Sequence, residues 1–377
     1  MTLYHAPRLF DGERFITDCY FHVESGKLDF DCAPDAHTQV VSLSGLVVPG
    51  FIDVQVNGGG GAFFNACQSV SCLANIAKAH GQFGSTANMP TLITDDIEVM
   101  RKAADAVAQA IKAGTLGILG VHFEGPHLSL PKKGTHSERF IRPISEQEFA
   151  IYAREDLGIK MVTLAPENVS ADDIKRLVSL GVKVSLGHTN ADYATTMSAL
   201  DAGADGFTHL FNAMSAFTSR EPGVVGAALW HNDSWCGLIV DGHHLHPDSA
   251  KLAIRTKQQG KIMLVTDAMP PVGTDATEFD FFDGRKVYRT GDRLNSSTGE
   301  LAGSVLDMAT AVRNTVNTLD VSLKESLRMA SLYPAQYLGV AHQKGRLLTG
   351  FDADFVVLDE QLNAQQTYIN GVAITQP

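Results

Sequence analysis

The stretch VSLGHTNADYATTMSALDAGADGFTHLFNAM, residues 184–214, indicates the architecture of the whole chain. Two short apolar runs, KVSLGH and DGFTHL, each contain a histidine near their end, and a helix-like segment at residues 191–202 lies between them. This pattern predicts a βαβ unit with His188 and His209 at the C-terminal ends of parallel strands. In a closed barrel these ends meet at one mouth, so both imidazoles can reach the same point. A shared metal ion is one reason for this arrangement, and two histidines packed in the core are the alternative.

The alternation of strand and helix extends on both sides of this stretch. Apolar strand patterns from residue 51 onward are separated by amphipathic patterns such as those at residues 73–81, 97–113 and 170–180. The eight strand patterns are FIDVQV, TANMPTLI, GILGVHFE, KMVTLAP, KVSLGH, GFTHLF, CGLIVD and IMLVTD. Eight strands alternating with helices predict an α/β fold, a (β/α)8 barrel of the TIM type.

The two ends of the chain carry strand patterns without a helical period. We therefore expect residues 1–48 and 345–377 to form a small β-sandwich module together, and residues 49–344 to form the barrel. Two insertions interrupt the repeat. One is a long polar loop at residues 125–145, a length typical of binding loops and lids. The other is the stretch FDFFDGRKVYRTGDRL, whose Asp-Gly pair predicts a hairpin after the eighth strand.

Composition is that of an ordinary globular protein. Of the 377 residues 44% are hydrophobic, and the net charge of −12 argues against nucleic acid or an anionic membrane as a partner. Five scattered cysteines, an odd number without a CxxC pair, predict reduced thiols rather than a disulfide framework. The N-terminus lacks a signal-peptide pattern and no apolar run has membrane-spanning length, so we expect a cytoplasmic location.

Carboxylates follow two further barrel strands. Glu124 ends the third strand in VHFEGP, and Asp267 ends the eighth in LVTDAM. Two imidazoles and one carboxylate, from His188, His209 and Glu124, suit a catalytic zinc with one coordination position left open. Asp267 adds a metal-compatible or acid/base group to the same rim, although a helix cap or salt bridge is the alternative for either carboxylate alone. His122 is expected to lie one layer deeper, where it packs or donates a supporting hydrogen bond.

The first strand departs from the His-x-His pattern with which barrel metallohydrolases often begin. Its equivalent positions hold Gln55 and Asn57, which we interpret as vestigial positions of a first metal. Amides bind zinc poorly compared with imidazoles, so the sequence predicts one metal per subunit. The fourth strand ends in TLAPE without a lysine, which weakens the case for a metal pair bridged by a modified lysine.

Motifs spread over nearly the whole chain resemble those of the N-acetylglucosamine-6-phosphate deacetylases, in the amidohydrolase superfamily. The motifs are PGFIDVQVNG, HFEGPHL with KKGTH, TLAPE, GHTNA, THLFNAM with REPG, DGHH, VTDAM and GRLLTGFDADFVVLD. The resemblance implies metal ligation by Glu124, His188 and His209. It implies that Asp267 is the catalytic acid/base and that His136 polarises the acetyl carbonyl. The implied sugar and phosphate contacts are His136, Asn212, Ala213, Arg220, His244, Ala302 and Gly303.

The resemblance also implies a reaction, a cofactor and an assembly. The reaction is hydrolysis of the acetamide of N-acetylglucosamine 6-phosphate to glucosamine 6-phosphate and acetate, in amino-sugar catabolism or recycling. The cofactor is one divalent metal per subunit, best matched by Zn²⁺. The assembly is a homodimer, or a tetramer, with Arg220 near or across the subunit interface.

Several alternatives stay open from the sequence. The substrate could be a different N-acyl amino sugar or a cyclic amide, and the chain could be a non-catalytic scaffold on the same barrel. For Arg220 the alternative is a surface salt bridge with Glu221, and for His136 it is a solvated position in the loop.

Overall fold

The computed structural model describes residues 2–32, 39–281 and 284–374, and two eight-stranded sheets contain most of its strands. The strands are β1 (Thr2–Phe10), β2 (Phe15–Glu24), β3 (Lys27–Asp29), β4 (Val40–Ser42), β5 (Leu46–Pro49), β6 (Phe51–Val56), β7 (Gly58–Gly59), β8 (Ala62–Phe63), β9 (Ser85–Ile93), β10 (Gly120–Glu124), β11 (Ile159–Leu164), β12 (Val182–Leu186), β13 (Gly206–Phe207), β14 (Trp235–Leu238), β15 (Ile262–Leu264), β16 (Glu278–Asp280), β17 (Lys286–Thr290), β18 (Arg293–Ser296), β19 (Phe355–Leu358), β20 (Ala364–Ile369) and β21 (Val372–Ile374). The helices are α1 (Val70–Gly81), α2 (Ile97–Lys112), α3 (Glu146–Tyr152), α4 (Ala171–Ser179), α5 (Tyr193–Asp201), α6 (Gly223–Trp230), α7 (Pro247–Thr256), α8 (Met308–Asn317), α9 (Leu323–Ala330) and α10 (Leu332–Tyr337).

The predicted (β/α)8 barrel is confirmed. Its strands lie in the order β6, β9, β10, β11, β12, β13, β14, β15, and every ladder between neighbours is parallel. Between β15 and β6, no ladder forms within the described residues. This barrel seam is closed by a single bridge between Val56 and Ala268 and by backbone hydrogen bonds, including one of 3.0 Å from Asp267 N to Gln55 O. The seam therefore depends on individual contacts rather than on a regular ladder.

The outer helices form where a cap precedes an amphipathic segment. In α2 the Asp96 side chain accepts a hydrogen bond from the Glu98 amide, and Met100, Ala103 and Val107 are buried against the barrel. That i, i+3, i+7 spacing places the three apolar side chains on one helix face, and the hydrophobic effect holds this face to the sheet. Among the described residues, no helix has both the length and the apolar content required to cross a membrane.

Both ends of the chain pair into one sheet beside the barrel, as predicted. Its order is β21, β20, β19, β5, β1, β2, β3, with β4 also paired to β1, and β5 is antiparallel to β19. Aromatic side chains fill its apolar face: the rings of Phe355 and Tyr368 stack at 4.3 Å, and those of Tyr4 and Phe21 at 5.4 Å. The division of the chain at residues 48/49 and 344/345 stays a prediction.

The predicted C-terminal ends of several barrel strands were wrong. The sixth strand was expected to continue through His209, but β13 ends at Phe207, and β15 ends three residues before Asp267. The reason is the backbone: φ is +48° at His188, +36° at His209 and +52° at Asp267. A left-handed conformation cannot continue a strand, so the chain leaves the sheet where these side chains are presented.

The hairpin predicted after the eighth strand is confirmed as a three-stranded antiparallel flap, β16 to β18. Asp283, the first residue of the predicted Asp-Gly turn, lies outside the described residues. The ring of Phe281 packs against Phe63 at 5.4 Å, and Arg285 Nη2 donates a 2.6 Å hydrogen bond to Thr135 O in the polar loop. The flap thus covers one side of the barrel mouth.

The prediction that all cysteines are reduced thiols was wrong for one pair. Cys67 and Cys72 form a disulfide, while Cys19, Cys32 and Cys236 are free. The chain turns at Ser69, the N-cap of α1, and brings the two Cα atoms to 6.0 Å. A scan for CxxC spacing does not detect a bridge that spans a helix start.

Candidate active site

Three predicted ligands meet at the mouth of the barrel. Glu124 ends β10, and His188 and His209 follow β12 and β13. Glu124 Oε1 lies 3.3 Å from His188 Nε2 and 3.1 Å from His209 Nε2, and the two Nε2 atoms are 3.0 Å apart. All three residues are at most 6% exposed. Because the ligand atoms lie within 4.8 Å of one another, a single cation can contact all of them.

Neighbouring groups orient this cluster. His188 Nδ1 is 2.8 Å from Lys132 O in the polar loop, which makes Nδ1 the protonated nitrogen and leaves Nε2 as an acceptor. Burial opposes ionisation of Glu124, but its interactions with His188 and His209 outweigh burial and hold the pKa of Glu124 well below its usual range. Two imidazoles and an ionised carboxylate that converge on one point fit a divalent metal.

Asp267 lies beside the cluster at the barrel seam. Its Oδ1 accepts hydrogen bonds from Asn57 Nδ2 at 2.6 Å and from Gln55 Nε2 at 3.1 Å. Desolvation in the cavity and, next in size, the negative charge of Glu124 together raise the pKa of Asp267 to about 6. A carboxyl group with a pKa near 6 can both accept and release a proton close to neutral pH.

The two amides of the first strand bind the carboxylates directly. Gln55 Nε2 also donates to Glu124 Oε1 at 3.1 Å, so this one amide bridges Glu124 and Asp267. Two imidazoles at the same positions could hold a second cation between the carboxylates. Here neutral N–H groups stabilise the carboxylates through hydrogen bonds instead.

His136 is buried in the wall rather than solvated in the polar loop. It is 3% exposed, and its Nδ1 accepts a hydrogen bond from the Thr94 amide at 3.4 Å, with Thr94 Oγ1 at 2.9 Å. Burial lowers the pKa of His136 well below its usual range, with the neighbouring His188 adding to the effect. The ring is therefore neutral with the proton on Nε2, a hydrogen-bond donor.

These groups line one cavity of about 200 Å³. The predicted residues that line it are Asn57, Glu124, His136, His188, His209, Asn212, Ala213, His244, Asp267, Ala302 and Gly303. Gly303 has φ +63°, and a Cβ there would lie 2.5 Å from Met269 Cγ, so glycine is required at this wall.

The sequence patterns did not predict several residues of the wall. Ile93, Thr135, Met269, Phe281 and Leu301 also line the cavity. Thr135 precedes His136 in the KGTH motif, and Phe281 lies in the predicted hairpin, so both positions carried a signal. The other three are apolar residues of ordinary type, which no pattern distinguishes from core residues.

Asp241 is a further polar group that the sequence patterns did not predict. It accepts hydrogen bonds from the amides of His243 and His244, both at 2.9 Å, and from His244 Nδ1 at 2.6 Å. Burial opposes its ionisation, yet the hydrogen bond from His244 lowers the pKa of Asp241 to about 2. The pair fixes the ring of His244, which presents Nε2 away from Asp241.

Arg220 is the one predicted site residue that lies outside both the cavity and its hydrogen-bond network. It is exposed, and it forms no ion pair with any residue that the structure describes. The alternative salt bridge with Glu221 is not formed, because Glu221 Oε1 accepts hydrogen bonds from the amides of Tyr193 at 2.8 Å and Gly223 at 2.9 Å.

Comparison with known proteins agrees with this geometry. The model of the amidohydrolase family matches residues 46–374. An N-acetylgalactosamine-6-phosphate deacetylase of Shewanella sp. (strain ANA-3) is 52% identical, over 88% of this chain and 84% of the relative. An N-acetylglucosamine-6-phosphate deacetylase of Bos taurus is 40% identical, also over 88% of this chain and 84% of the relative.

A solved structure extends the similarity to the whole fold. The crystal structure of N-acetylglucosamine-6-phosphate deacetylase from Pasteurella multocida superposes with a TM-score of 0.94 and is 34% identical, covering 98% of this chain and 99% of that one. Sequence and fold agree, and the chain belongs to the amidohydrolase family, where it groups with the amino-sugar-6-phosphate deacetylases.

Proposed function

We propose that this chain is an enzyme that hydrolyses the acetamide of N-acetylglucosamine 6-phosphate to glucosamine 6-phosphate and acetate. The observation that carries the proposal is the meeting of Asp267, His136 and the cluster of Glu124, His188 and His209 in one small cavity. The direct test is release of acetate from the phosphorylated sugar, compared with the unphosphorylated sugar. No release by metal-loaded protein would favour the scaffold alternative.

We infer that the resident cofactor is one divalent metal per chain, with Zn²⁺ the best match. The His₂Glu donor set supports this choice, and the amides of Gln55 and Asn57 give no ligands for a second ion. When bound, the ion supplies Lewis-acid polarisation of the acetyl carbonyl and of water. Metal analysis of the purified protein identifies the element.

We propose the following roles for the protein's own groups, and their contacts support them. Asp267 accepts a proton from the attacking water and returns it to the departing amine, which is otherwise a poor leaving group. The Nε2–H of neutral His136 donates to the acetyl oxygen as negative charge develops there. Asn212, Ala213, His244, Ala302 and Gly303 line the remaining wall, where the sugar would be held.

A second substrate has a specific observation in its favour. The N-acetylgalactosamine-6-phosphate deacetylase of Shewanella is 52% identical to this chain, whereas the Bos taurus enzyme for the glucosamine epimer is 40% identical. N-acetylgalactosamine 6-phosphate is therefore the second candidate. Steady-state kcat/KM for the two epimers, assayed side by side, decides between them.

We propose that Arg220 binds the substrate phosphate in the neighbouring subunit of a homodimer. An apolar face surrounds its loop: Phe217, Trp230 and Leu252 are 66%, 74% and 59% exposed and border a groove of about 910 Å³. Exposed apolar surface of this extent is typical of a protein interface. Sedimentation analysis of the wild type and of Trp230→Glu tests the assembly.

Mixed dimers test whether Arg220 acts across the interface. Arg220→Ala and Asp267→Asn each inactivate every site to which the substituted residue belongs. If Arg220 reaches across, a mixed dimer contains one site with both residues intact, and mixing the two inactive variants restores activity. If Arg220 acts in its own subunit, every site in the mixture lacks one group and no activity returns.

The cytoplasmic location expected from the sequence remains a prediction, and cell fractionation is its test.

A further inference from the structure

A buried carboxylate lies directly below the proposed catalytic group. Asp53 belongs to β6, is fully buried, and shares the inward face of that strand with Gln55. Its Oδ1 accepts hydrogen bonds from the amides of Gln55 at 3.1 Å and Thr266 at 3.3 Å, and its Oδ2 accepts one from the Thr266 hydroxyl. Asp53 is neither a predicted ligand nor a residue of the cavity wall, so the proposed reaction leaves it without a role.

Thr266 connects this carboxylate to the chain on the far side of the barrel seam. Its hydroxyl donates to Asp53 and accepts a 3.2 Å hydrogen bond from the Ala268 amide. The second bond joins Thr266 to Ala268 and therefore spans Asp267, the residue between these two. On its other side, Thr266 O accepts a 2.6 Å hydrogen bond from Ser304 Oγ. Thr266 is therefore held from two directions.

Asp267 needs such support because its backbone is strained. Its φ of +52° is in the left-handed region, which is unfavourable for a non-glycine residue. Its amide donates to Gln55 O at 3.0 Å, and its carbonyl accepts from Ser304 N at 3.0 Å. No ladder holds this segment within the described residues, so these contacts replace regular strand pairing.

We propose that Asp53 and Thr266 form a clamp across the barrel seam that positions the Asp267 carboxylate against Asn57 and Gln55. Asp53 and Thr266 are thus positioning residues, and their role in catalysis rests on the deacetylation proposed above. The clamp holds the backbone on either side of Asp267, so its carboxylate keeps one orientation toward the cavity. Burial raises the pKa of Asp53 to about 7, and hydrogen bonds from Thr266 oppose this rise, in keeping with a group placed for its hydrogen-bond donors rather than for solvent.

The test removes the hydroxyl without changing the shape of the side chain. Thr266→Val deletes the bonds that the hydroxyl makes to Asp53 and to the Ala268 amide, and Thr266→Ser retains them. Thr315→Val is the matched control, because Thr315 is also fully buried and its hydroxyl donates to Ala311 O at 2.7 Å, within α8 rather than across the seam. For each variant, kcat, KM and metal content are measured, and the crystal structure is determined without substrate.

We expect Thr266→Val to lower kcat at least tenfold, with KM within twofold of the wild type and metal content unchanged. The kcat of Thr266→Ser should stay within threefold of the wild-type value, and that of Thr315→Val within twofold. In the crystal structure of Thr266→Val, the hydrogen bond from Asn57 to Asp267 should be broken. If Thr266→Val does not fold, Asp53→Asn is expected to give the same separation of kcat from KM.

Three results would overturn the clamp. One is a kcat of Thr266→Val within twofold of the wild type, another is an equal loss in Thr315→Val, and the third is an unchanged Asp267 in the crystal structure. If the wild type releases no acetate from either phosphorylated epimer, the proposed function fails. In that event the crystal structures still decide whether Thr266 positions Asp267.

Discussion

Asp267 shows how a few contacts give an aspartate an unusual pKa and a fixed orientation. Enclosure in the cavity and the nearby Glu124 raise its pKa, while the amide of Asn57 acts in the opposite direction. The same amide and that of Gln55 hold Oδ1, so proton transfer involves a carboxylate that is already oriented. Preorganisation of this kind reduces the reorganisation required during the reaction.

The first prediction replaces this carboxylate. Asp267→Asn removes both the proton acceptor and the proton donor, so we expect kcat to fall on the order of 10²- to 10⁴-fold while the metal is retained. Asp320→Asn is the control, since Asp320 pairs with Lys251 on the surface, at 2.7 Å. Near-normal turnover in Asp267→Asn would assign proton transfer to another group.

The second prediction concerns phosphate recognition by a protein with a net charge of −12. Long-range attraction of a dianion is unfavourable, so affinity must come from local donors, and a guanidinium can bind phosphate through two hydrogen bonds. Arg220→Ala should lower kcat/KM for the phosphorylated sugar, by a factor equivalent to about 2 to 5 kcal/mol of transition-state stabilisation. The unphosphorylated sugar should lose little, because it has no phosphate to contact.

Arg255→Ala supplies the control for Arg220, since Arg255 is also an exposed arginine. Its removal should change kcat/KM for neither sugar. Equal losses on both sugars in Arg220→Ala would contradict phosphate recognition and leave Arg220 with a structural role.

At the scale of elements, strand β6 determines how many metals the site can hold. Gln55 on its inward face and Asn57 directly after the strand are amides at the two positions where imidazoles would ligate a second ion. We therefore expect elemental analysis to give about one divalent ion per chain, using the ligand preferences of such metals. Glu124→Gln should lower that content, and two tightly bound ions per active chain would contradict the interpretation of β6.

Much of the barrel could be predicted because parallel strands are buried on both faces and appear as continuous apolar runs. All of the predicted barrel strands are present, and the helical pattern at residues 97–113 corresponds to α2 (Ile97–Lys112). The ends of the strands that precede His209 and Asp267 could not be predicted, since the positive φ at these two residues depends on tertiary contacts. α10 was not predicted either, because it is a short helix without a clear apolar period.

The candidate site likewise contains residues that the sequence predicts and residues that it does not. Glu124, His188 and His209 were predictable because each follows an apolar run, so a rule of topology brings them together. The bond between Asp53 and Thr266 joins residues separated by 213 positions, and no local pattern encodes it. The position of Arg220 outside its own cavity depends on loop geometry, which spacing along the chain does not give.

At the scale of the whole molecule, buried imidazoles predict how stability depends on pH. Burial lowers the pKa of both His80 and His127 to about 4. In the unfolded chain a histidine has a pKa near 6.5, so the folded state binds fewer protons. Their contribution to the free energy of unfolding is fully present above pH 6.5. It is lost as pH falls toward 4, at about 1.4 kcal/mol per histidine for each pH unit.

Denaturant titrations between pH 7 and pH 4.5 measure this dependence. His80→Gln should show a shallower decrease in the free energy of unfolding than the wild type, because one of the buried imidazoles is gone. His342→Gln, at an exposed position, should follow the wild-type curve. A decrease in His80→Gln as steep as that of the wild type would contradict the assignment of a neutral, buried His80.

The pairing of β5 with β19 has a consequence for biosynthesis. The ribosome adds roughly 5 to 20 residues per second, and roughly 300 residues separate the two strands, so β5 emerges about 15 to 60 s before its partner. During that interval the edge of β5 offers unpaired N–H and C=O groups to other nascent chains. A slow ribosome or a crowded polysome therefore favours aggregation of this protein, and chaperones that shield strand edges should raise its soluble yield more than chaperones that act after release.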